Sequence, residues 1–246
     1  GMGVVYEADD PELHRRVAVK ILQEGSSGSQ EVTRLHREAA IAAQLQHPNI
    51  VAIHDAGQEG QFCYIAMEKI DGKPLRTWSE NRRGDWVSIA KVFGQIAQAI
   101  HHVHNKGLVH RDVKPENILV GADDRAYLVD FSLSKVMEEG GYLENDISLI
   151  GTPAFMSPEQ IEGRIKDVDH RSDIFSLGVA LYETLSGRIP FEGETLIELS
   201  RQIREETPDS LSDAPPALAE KRSWPSAPHT RIPSDELEAI RPSAAR

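Results

Sequence analysis

The chain has 246 residues, enough for one large domain or two packed lobes, and an ordinary globular share of apolar residues, 39%. Acidic residues outnumber basic ones by 39 to 27, a net charge of -12, which argues against nucleic acid as a partner and fits either steering of basic substrates or simple solubility. A single cysteine, Cys63, rules out an internal disulfide; no run of about 20 apolar residues is present to span a membrane, and no charged-then-apolar leader opens the chain.

In chain order, Val4–Ala8 and Arg16–Leu22 read as β-branched-rich strands split by a turn at Asp9-Asp10-Pro11. Residues 25–30 are Gly/Ser-rich and read as a loop. Residues 31–45 carry apolar positions at helical spacing until His47-Pro48-Asn49 stops them. Ile50–Asp55 and Phe62–Met67 are two further expected strands around a Gly-rich turn at Gly57–Gly60, with Cys63 a buried strand residue. From Asp71 helices dominate. Val87–Asn105 is a long amphipathic helix stopped by Lys106-Gly107, and Phe175–Ser186 is an apolar helix ending at Gly187. Between them, Ile118–Val120 and Ala126–Val129 are short β-like runs around a turn at Gly121–Asp124, followed by a polar stretch, Ser132–Pro153, without periodicity. Half of the 14 prolines fall in residues 208–246, so the chain after about Glu206 reads as a loosely ordered tail with at most a short helix capped by Ser234.

Some segments carry residue types that packing does not call for. The opening Gly-Met-Gly-Val-Val-Tyr lets backbone approach a phosphate closely, or simply starts a hairpin. Val17-Ala18-Val19-Lys20 sets a lysine on a strand; Glu38, in the expected helix, is a counter-charge for it or a solvated surface group. His110-Arg111-Asp112-Val113-Lys114-Pro115-Glu116-Asn117 holds charged and amide groups at fixed offsets, and Asp130-Phe131-Ser132 follows an apolar run. Gly151-Thr152 leads into Ser157-Pro158-Glu159, and Asp173 stands at the head of an apolar helix, where a carboxylate is favoured by the dipole. His101, His102 and His104 cluster near a helix C-terminus; a cationic or packing role outweighs metal binding, since only His101 and His104 share a face well.

Together, in this order and spacing, these segments resemble the protein kinase superfamily over Gly1 to about Glu205. The wording "HPNIV", "GLVHRDVKPENIL" and "SDIFSLGVALYETLSGRIPF" is similar to the bacterial serine/threonine kinases of eukaryotic type. The resemblance implies an α+β, two-lobed fold: a small antiparallel β-sheet lobe with one helix, residues 1–67 and lacking its first strand; a hinge at 68–71; and a larger, mainly helical lobe, 72–205, lacking its last helices, before a tail at 206–246. It implies ATP and Mg²⁺ as cofactors between the lobes and Ser/Thr-containing proteins as substrates, in a signalling role, with a homodimer as one route to autophosphorylation and a cytoplasmic location.

Residue by residue, Asp112 would orient the substrate hydroxyl and accept its proton, Lys114 would steady the γ-phosphate, and Thr152 would contact both. Lys20, held by Glu38, would reach the α/β-phosphates, and Asn117 and Asp130 would hold Mg²⁺. Gly1 and Gly3 would belong to the phosphate loop, Val5 and Ala18 would cover the adenine, Met67 would line the pocket behind it, and the backbone of Glu68 and Ile70 would bind it. Asp173 would brace the catalytic loop through backbone amides, and Ser148 or Thr152 would take a regulatory phosphate docked by Arg111. Departures from the family pattern are Ser132 in place of a glycine and, after Pro190-Phe191, no match for the segment whose arginine pairs with Glu159, leaving exposure, substitution by Arg222 or Arg231, or an incomplete lobe as its solutions. They keep open an alternative, a non-catalytic kinase-like module that binds nucleotide or protein.

Overall fold

In the computed structural model the described residues are 4–11, 13–23, 43–59, 62–80, 82–130 and 153–211. β1 (Val4–Asp10) and β2 (Arg15–Gln23) pair antiparallel. The first strand runs on through the Asp9-Asp10 pair that the sequence assigns to a turn. Asp9 faces Arg16 and Asp10 faces Arg15, whose Nε lies 3.2 Å from Asp10 Oδ2, so opposite charges extend the ladder.

β3 (Ile53–Glu59) and β4 (Phe62–Glu68) complete an antiparallel sheet of order β1-β2-β4-β3. β3 begins at Ile53 rather than Ile50, which instead bridges Leu128, and it includes Gly57, expected in the turn. Glycine serves packing there. A Cβ on Gly57 would sit 2.6 Å from the Tyr64 hydroxyl, which lies across the strand and donates to Asp55 Oδ2 at 3.1 Å. Gly57→Ala should therefore force Tyr64 aside and lower the unfolding free energy by about 1–2 kcal/mol in a urea titration. Cys63 is buried in β4, as expected.

Beyond the first sheet come α1 (Leu75–Glu80), α2 (Trp86–Asn105), α3 (Pro158–Ile161), α4 (His170–Ser186) and α5 (Leu196–Glu205). A second sheet orders β5 (Gly72–Pro74), β6 (Ile118–Gly121) and β7 (Ala126–Leu128) as β5-β6-β7. α2 buries Ile89, Val92, Phe93, Ile96, Ala99, Ile100 and Val103, one face at the spacing the sequence shows. Each large aliphatic side chain so covered contributes about 1.5–3 kcal/mol. Asp85 caps its start by accepting the Ser88 N–H at 3.1 Å.

α4 begins at His170, not Phe175, because Asp169 accepts the Arg171 N–H at 2.8 Å and caps a first turn too polar to show apolar periodicity. It ends at Gly187, whose φ of 76° is the left-handed cap glycine adopts readily. α5 is not foreseen in the sequence reading. Its start is capped by Thr195, whose Oγ1 accepts the Glu198 N–H at 3.2 Å, and its Leu199 and Ile203 pack with Phe191 against Ile161 and Phe175.

Of the expected helix over 31–45 only Ala43–Leu45 are described, and they form a turn and an irregular residue rather than helix. The loop at 25–30 and nearly all of the stretch 132–153 lie outside the described residues, as does most of the tail. The described start of that tail is tied down: Tyr182 Oη donates to the Asp209 carbonyl at 3.1 Å and Arg188 pairs with the Asp209 carboxylate at 3.1 Å. The chain forms two compact units, one built on β1–β4 and including Val51–Ile70, the other taking His47–Ile50 and the described residues from Asp71 onward. Among the described residues no helix is long and apolar enough to cross a membrane.

Candidate active site

The segment His110–Asn117 connects α2 to β6, and buried polar contacts fix its shape. The Asp173 carboxylate, fully buried in the first turn of α4, accepts the His110 N–H at 2.8 Å through Oδ2 and the Arg111 N–H at 2.7 Å through Oδ1. Oδ2 also lies 2.7 Å from His104 Nε2. These bonds hold Arg111 at a φ of 68°, a left-handed conformation that a non-glycine residue keeps only when its surroundings impose it. The Arg111 carbonyl in turn accepts from Gln160 Nε2 at 2.8 Å, linking the loop to the Ser-Pro-Glu segment at the start of α3. Ser176 Oγ anchors the same region to α4 by donating to the Phe155 carbonyl at 2.7 Å.

This scaffold presents Asp112. Its Oδ2 accepts from Lys114 Nζ at 2.8 Å and from Asn117 Nδ2 at 3.0 Å, and its carbonyl accepts a second Asn117 Nδ2 bond at 2.8 Å. With its amide nitrogen turned to Asp112, Asn117 presents its side-chain oxygen as the acceptor. The Asn117 carbonyl accepts the Val129 N–H at 2.9 Å, which brings the next residue, Asp130, beside the loop at a φ of 57°. Asp112, Lys114, Asn117 and Asp130 thus lie in one neighbourhood, with the His110 imidazole feeling both the Asp112 and Asp130 carboxylates.

His110 is fully buried and its pKa is held below the usual 6.5. Burial outweighs the carboxylates of Asp173, Asp112 and Asp130 and a Val129 main-chain hydrogen bond, all of which favour the charged ring. With the folded value below the unfolded one, the unfolded chain takes up a proton first on acidification. This residue's contribution to stability is present above pH 6.5 and is lost as the pH falls below it. The melting temperature should drop between about pH 7.5 and 5.5, with a shallower drop for His110→Gln.

Within the first unit, pairing in register places Val5 opposite Lys20 and Ala18 opposite Met67. Side chains of facing and alternate residues share a face, so Val5, Ala18, Lys20 and Met67 stand on the same side of the sheet. Glu68 ends β4 with its N–H donated to the Ala52 carbonyl at 2.8 Å, and Lys69 and Ile70 follow without regular structure. Gly1, Gly3, Glu38, Ser132, Ser148 and Thr152 lie outside the described residues.

Arg222 and Arg231, the candidate substitute partners of Glu159, lie outside the described residues. Glu159 is half-buried; burial raises its carboxyl pKa, but the hydrogen bond from Ser172 Oγ and the nearby Arg164 charge help to hold it below the usual range. A cleft of about 610 Å³ opens beside it, lined by Arg164, Lys166, Arg171 and Phe175 among others; Asp112, Asn117 and Asp130 take no part in it, so it is separate from the candidate site. The histidine cluster divides as packing directs: His104 meets Asp173, and His101 Nε2 lies 3.0 Å from Asn105 Nδ2.

The sequence reading gave no role to Gln160, Ser176 or the buried Asn49, and named His104 without its Asp173 partner. The Asn49 side chain donates to Gln95 Oε1 and the Ala126 carbonyl, both at 2.8 Å, fastening β7 to α2. Asn49 carried a signal in its place in His-Pro-Asn, and Gln160 in its capping-box spacing from Ser157.

Comparison with known proteins decides the family. The family model described as "Protein kinase domain" matches residues 1–238. The chain belongs to the protein kinase domain family. Its α+β, two-lobed fold is that of the family, which implies ATP and a divalent metal. Among curated relatives it is similar to serine/threonine-protein kinase PrkC of Bacillus subtilis, 37% identical over 213 residues, covering 85% of this chain and 32% of the relative. It is also similar to serine/threonine-protein kinase PknA of Mycobacterium tuberculosis, 37% identical over 230 residues, covering 89% and 52%. A third, serine/threonine-protein kinase PknB of Mycobacterium leprae, is 37% identical over 215 residues, covering 85% and 34%. The chain spans about a third to a half of the length of these relatives.

Proposed function

We propose that this domain transfers the γ-phosphate of ATP to serine or threonine hydroxyls of proteins. The observation that supports this best is the Asp112 carboxylate, fixed by Lys114 Nζ at 2.8 Å and Asn117 Nδ2 at 3.0 Å on a loop whose backbone is held by Asp173. Asp112 orients the acceptor hydroxyl and takes its proton. Lys114 offers a positive charge to the transferred group. Asn117 and Asp130 supply the one or two side-chain oxygens that suit Mg²⁺, a hard ion that shares its remaining positions with water and phosphate. Lys20 binds the α/β-phosphates, Val5, Ala18 and Met67 contact the adenine, and the backbone of Glu68 and Ile70 reads its edge. When bound, Mg-ATP supplies the phosphoryl group and much of the charge neutralisation its transfer needs.

The relatives are named as kinases, which does not favour the non-catalytic alternative. Incubation with γ-labelled ATP, Mg²⁺ and a Ser/Thr-rich protein should place label on serine or threonine, and EDTA should abolish it. Nucleotide binding without transfer would identify a binding module, and neither binding nor transfer would overturn the reading. Mass spectrometry of the incubated protein should find phosphate between Ser132 and Met156 if Ser148 or Thr152 is the regulatory position.

A further inference from the structure

Asp112 is joined to Arg111 by a peptide unit whose two polar ends are both held. Its N–H, on Asp112, donates to His110 Nδ1 at 3.3 Å. Its carbonyl, on Arg111, accepts from Gln160 Nε2 at 2.8 Å. A peptide is planar and stiff, so these two bonds together set the rotation of the plane from which the Asp112 side chain projects. The first bond is long, so the second carries more of the hold. Arg111 also keeps a left-handed φ of 68°, which needs support from outside the residue. Asp173 supplies that support on the Arg111 N–H at 2.7 Å, and Gln160 supplies it on the carbonyl.

The Gln160 amide has one way to sit. Gln160 and Ser157 are both buried. Gln160 Oε1 accepts the Ser157 N–H and the Ser157 hydroxyl, both at 3.1 Å, while Nε2 donates to the Arg111 carbonyl. A flipped amide would set its NH₂ against an N–H and its oxygen against a carbonyl, leaving buried groups unpaired. Gln160 therefore bonds the Ser-Pro-Glu turn through its oxygen and the Asp112 peptide through its nitrogen. A glutamate there would keep the acceptor but turn a charged oxygen on the carbonyl. A methionine would keep only the length.

We propose that Gln160 is a positioning residue for phosphotransfer: it aims Asp112 by holding the Arg111–Asp112 peptide against the turn that begins α3. The proposal rests on the phosphotransfer reading for its kinetic consequence, but the hold on the peptide is testable without catalysis. A residue that merely packs would change stability and leave kcat per folded molecule, and its pH dependence, as they are. A residue that aims Asp112 changes kcat whenever its donor is lost, and restores it when a donor returns.

The test compares wild type, Gln160→Glu and Gln160→Met, each assayed well below its own melting temperature so that folded chains alone are counted. The Gln160→Glu carboxyl, buried and facing a carbonyl, should titrate above the usual range of about 4.3. At about pH 8 it is charged and repels the Arg111 carbonyl. There kcat should fall about tenfold or more with the KM for ATP within about twofold, since small misplacements of a reacting group cost up to about 10²-fold. Towards about pH 6 its O–H donates to that carbonyl, and kcat relative to wild type should recover about threefold or more. Gln160→Met has no donor at either pH and should lose about tenfold at both; it decides alone if Gln160→Glu does not fold. A Gln160→Met kcat within about threefold of wild type, or a Gln160→Glu ratio to wild type that is flat with pH, overturns the proposal. In parallel, hydrogen exchange followed by NMR should show the Asp112 N–H about tenfold or more less protected in Gln160→Met, with the buried amides of α2 unchanged. Unchanged Asp112 protection overturns the hold even if no protein is phosphorylated. Selective loss of protection in a chain whose wild type transfers nothing supports the hold and counts against the phosphotransfer reading alone.

Discussion

Replacing Asp112 by asparagine is expected to lower kcat for transfer by about 10²–10⁴-fold, the usual reach of a positioned general base, while Mg-ATP still raises the melting temperature as it does in wild type. The substitution keeps size and shape. An asparagine oxygen still accepts from Asn117 Nδ2, now 3.0 Å from Asp112 Oδ2, so the loop should keep its path. What goes is the negative charge, and with it both the proton acceptor and the ion pair with Lys114 at 2.8 Å. Lys114 is then released from a neutralising partner, which should if anything strengthen its attraction for phosphate. The expected pattern is therefore a loss in kcat with little change in the KM for ATP, the signature of an interaction that acts in the transition state. Transfer within about threefold of wild type would remove Asp112 from the role assigned to it.

Much of this architecture is legible in the sequence where the signal is local. The apolar face of α2, from Ile89 to Val103, repeats at helical spacing and stops at Gly107, and expectation and structure differ there by one residue at the start. The residues around Asp112 stand close together in the chain, so their proximity follows from a motif eight residues long, His110 to Asn117. The misses have a common physical cause: they depend on partners that sequence distance hides. Gly57 looks like a turn glycine until Tyr64 is seen lying over it. The first turn of α4 is polar because Asp169 caps it and Asp173 faces a buried loop, so apolar periodicity begins only later. α5 carries Thr195 and Glu198 at capping-box spacing, a signal present but unread. The pairing of Arg76 with Glu183 across 107 positions has no local signature at all.

Removing the Asp173 carboxylate is expected to have the largest effect on stability. Asp173→Ala would leave the His110 and Arg111 N–H groups, now bonded at 2.8 and 2.7 Å, without acceptors, and would strip His104 Nε2 of its partner. A buried donor left unsatisfied costs about 1–3 kcal/mol, more where the lost acceptor is charged. The two amides together should cost about 3–6 kcal/mol, a large part of the 5–15 kcal/mol that holds a typical domain folded. Asp173→Asn retains one oxygen acceptor and should fall between alanine and wild type. The same bonds impose the left-handed Arg111 backbone at φ 68°; without them that residue relaxes and Asp112, its neighbour, moves with it. Folded Asp173→Ala protein, stabilised by nucleotide or low temperature, should then remain slow in transfer, which separates lost positioning from lost folding. His104→Ala removes only the third contact and should cost about 1–2 kcal/mol with transfer largely retained. Urea titrations of the three variants measure these differences. If Asp173→Ala shifts the unfolding free energy by less than about 1 kcal/mol, the amides have found other acceptors, and Asp173 is not what fixes the loop.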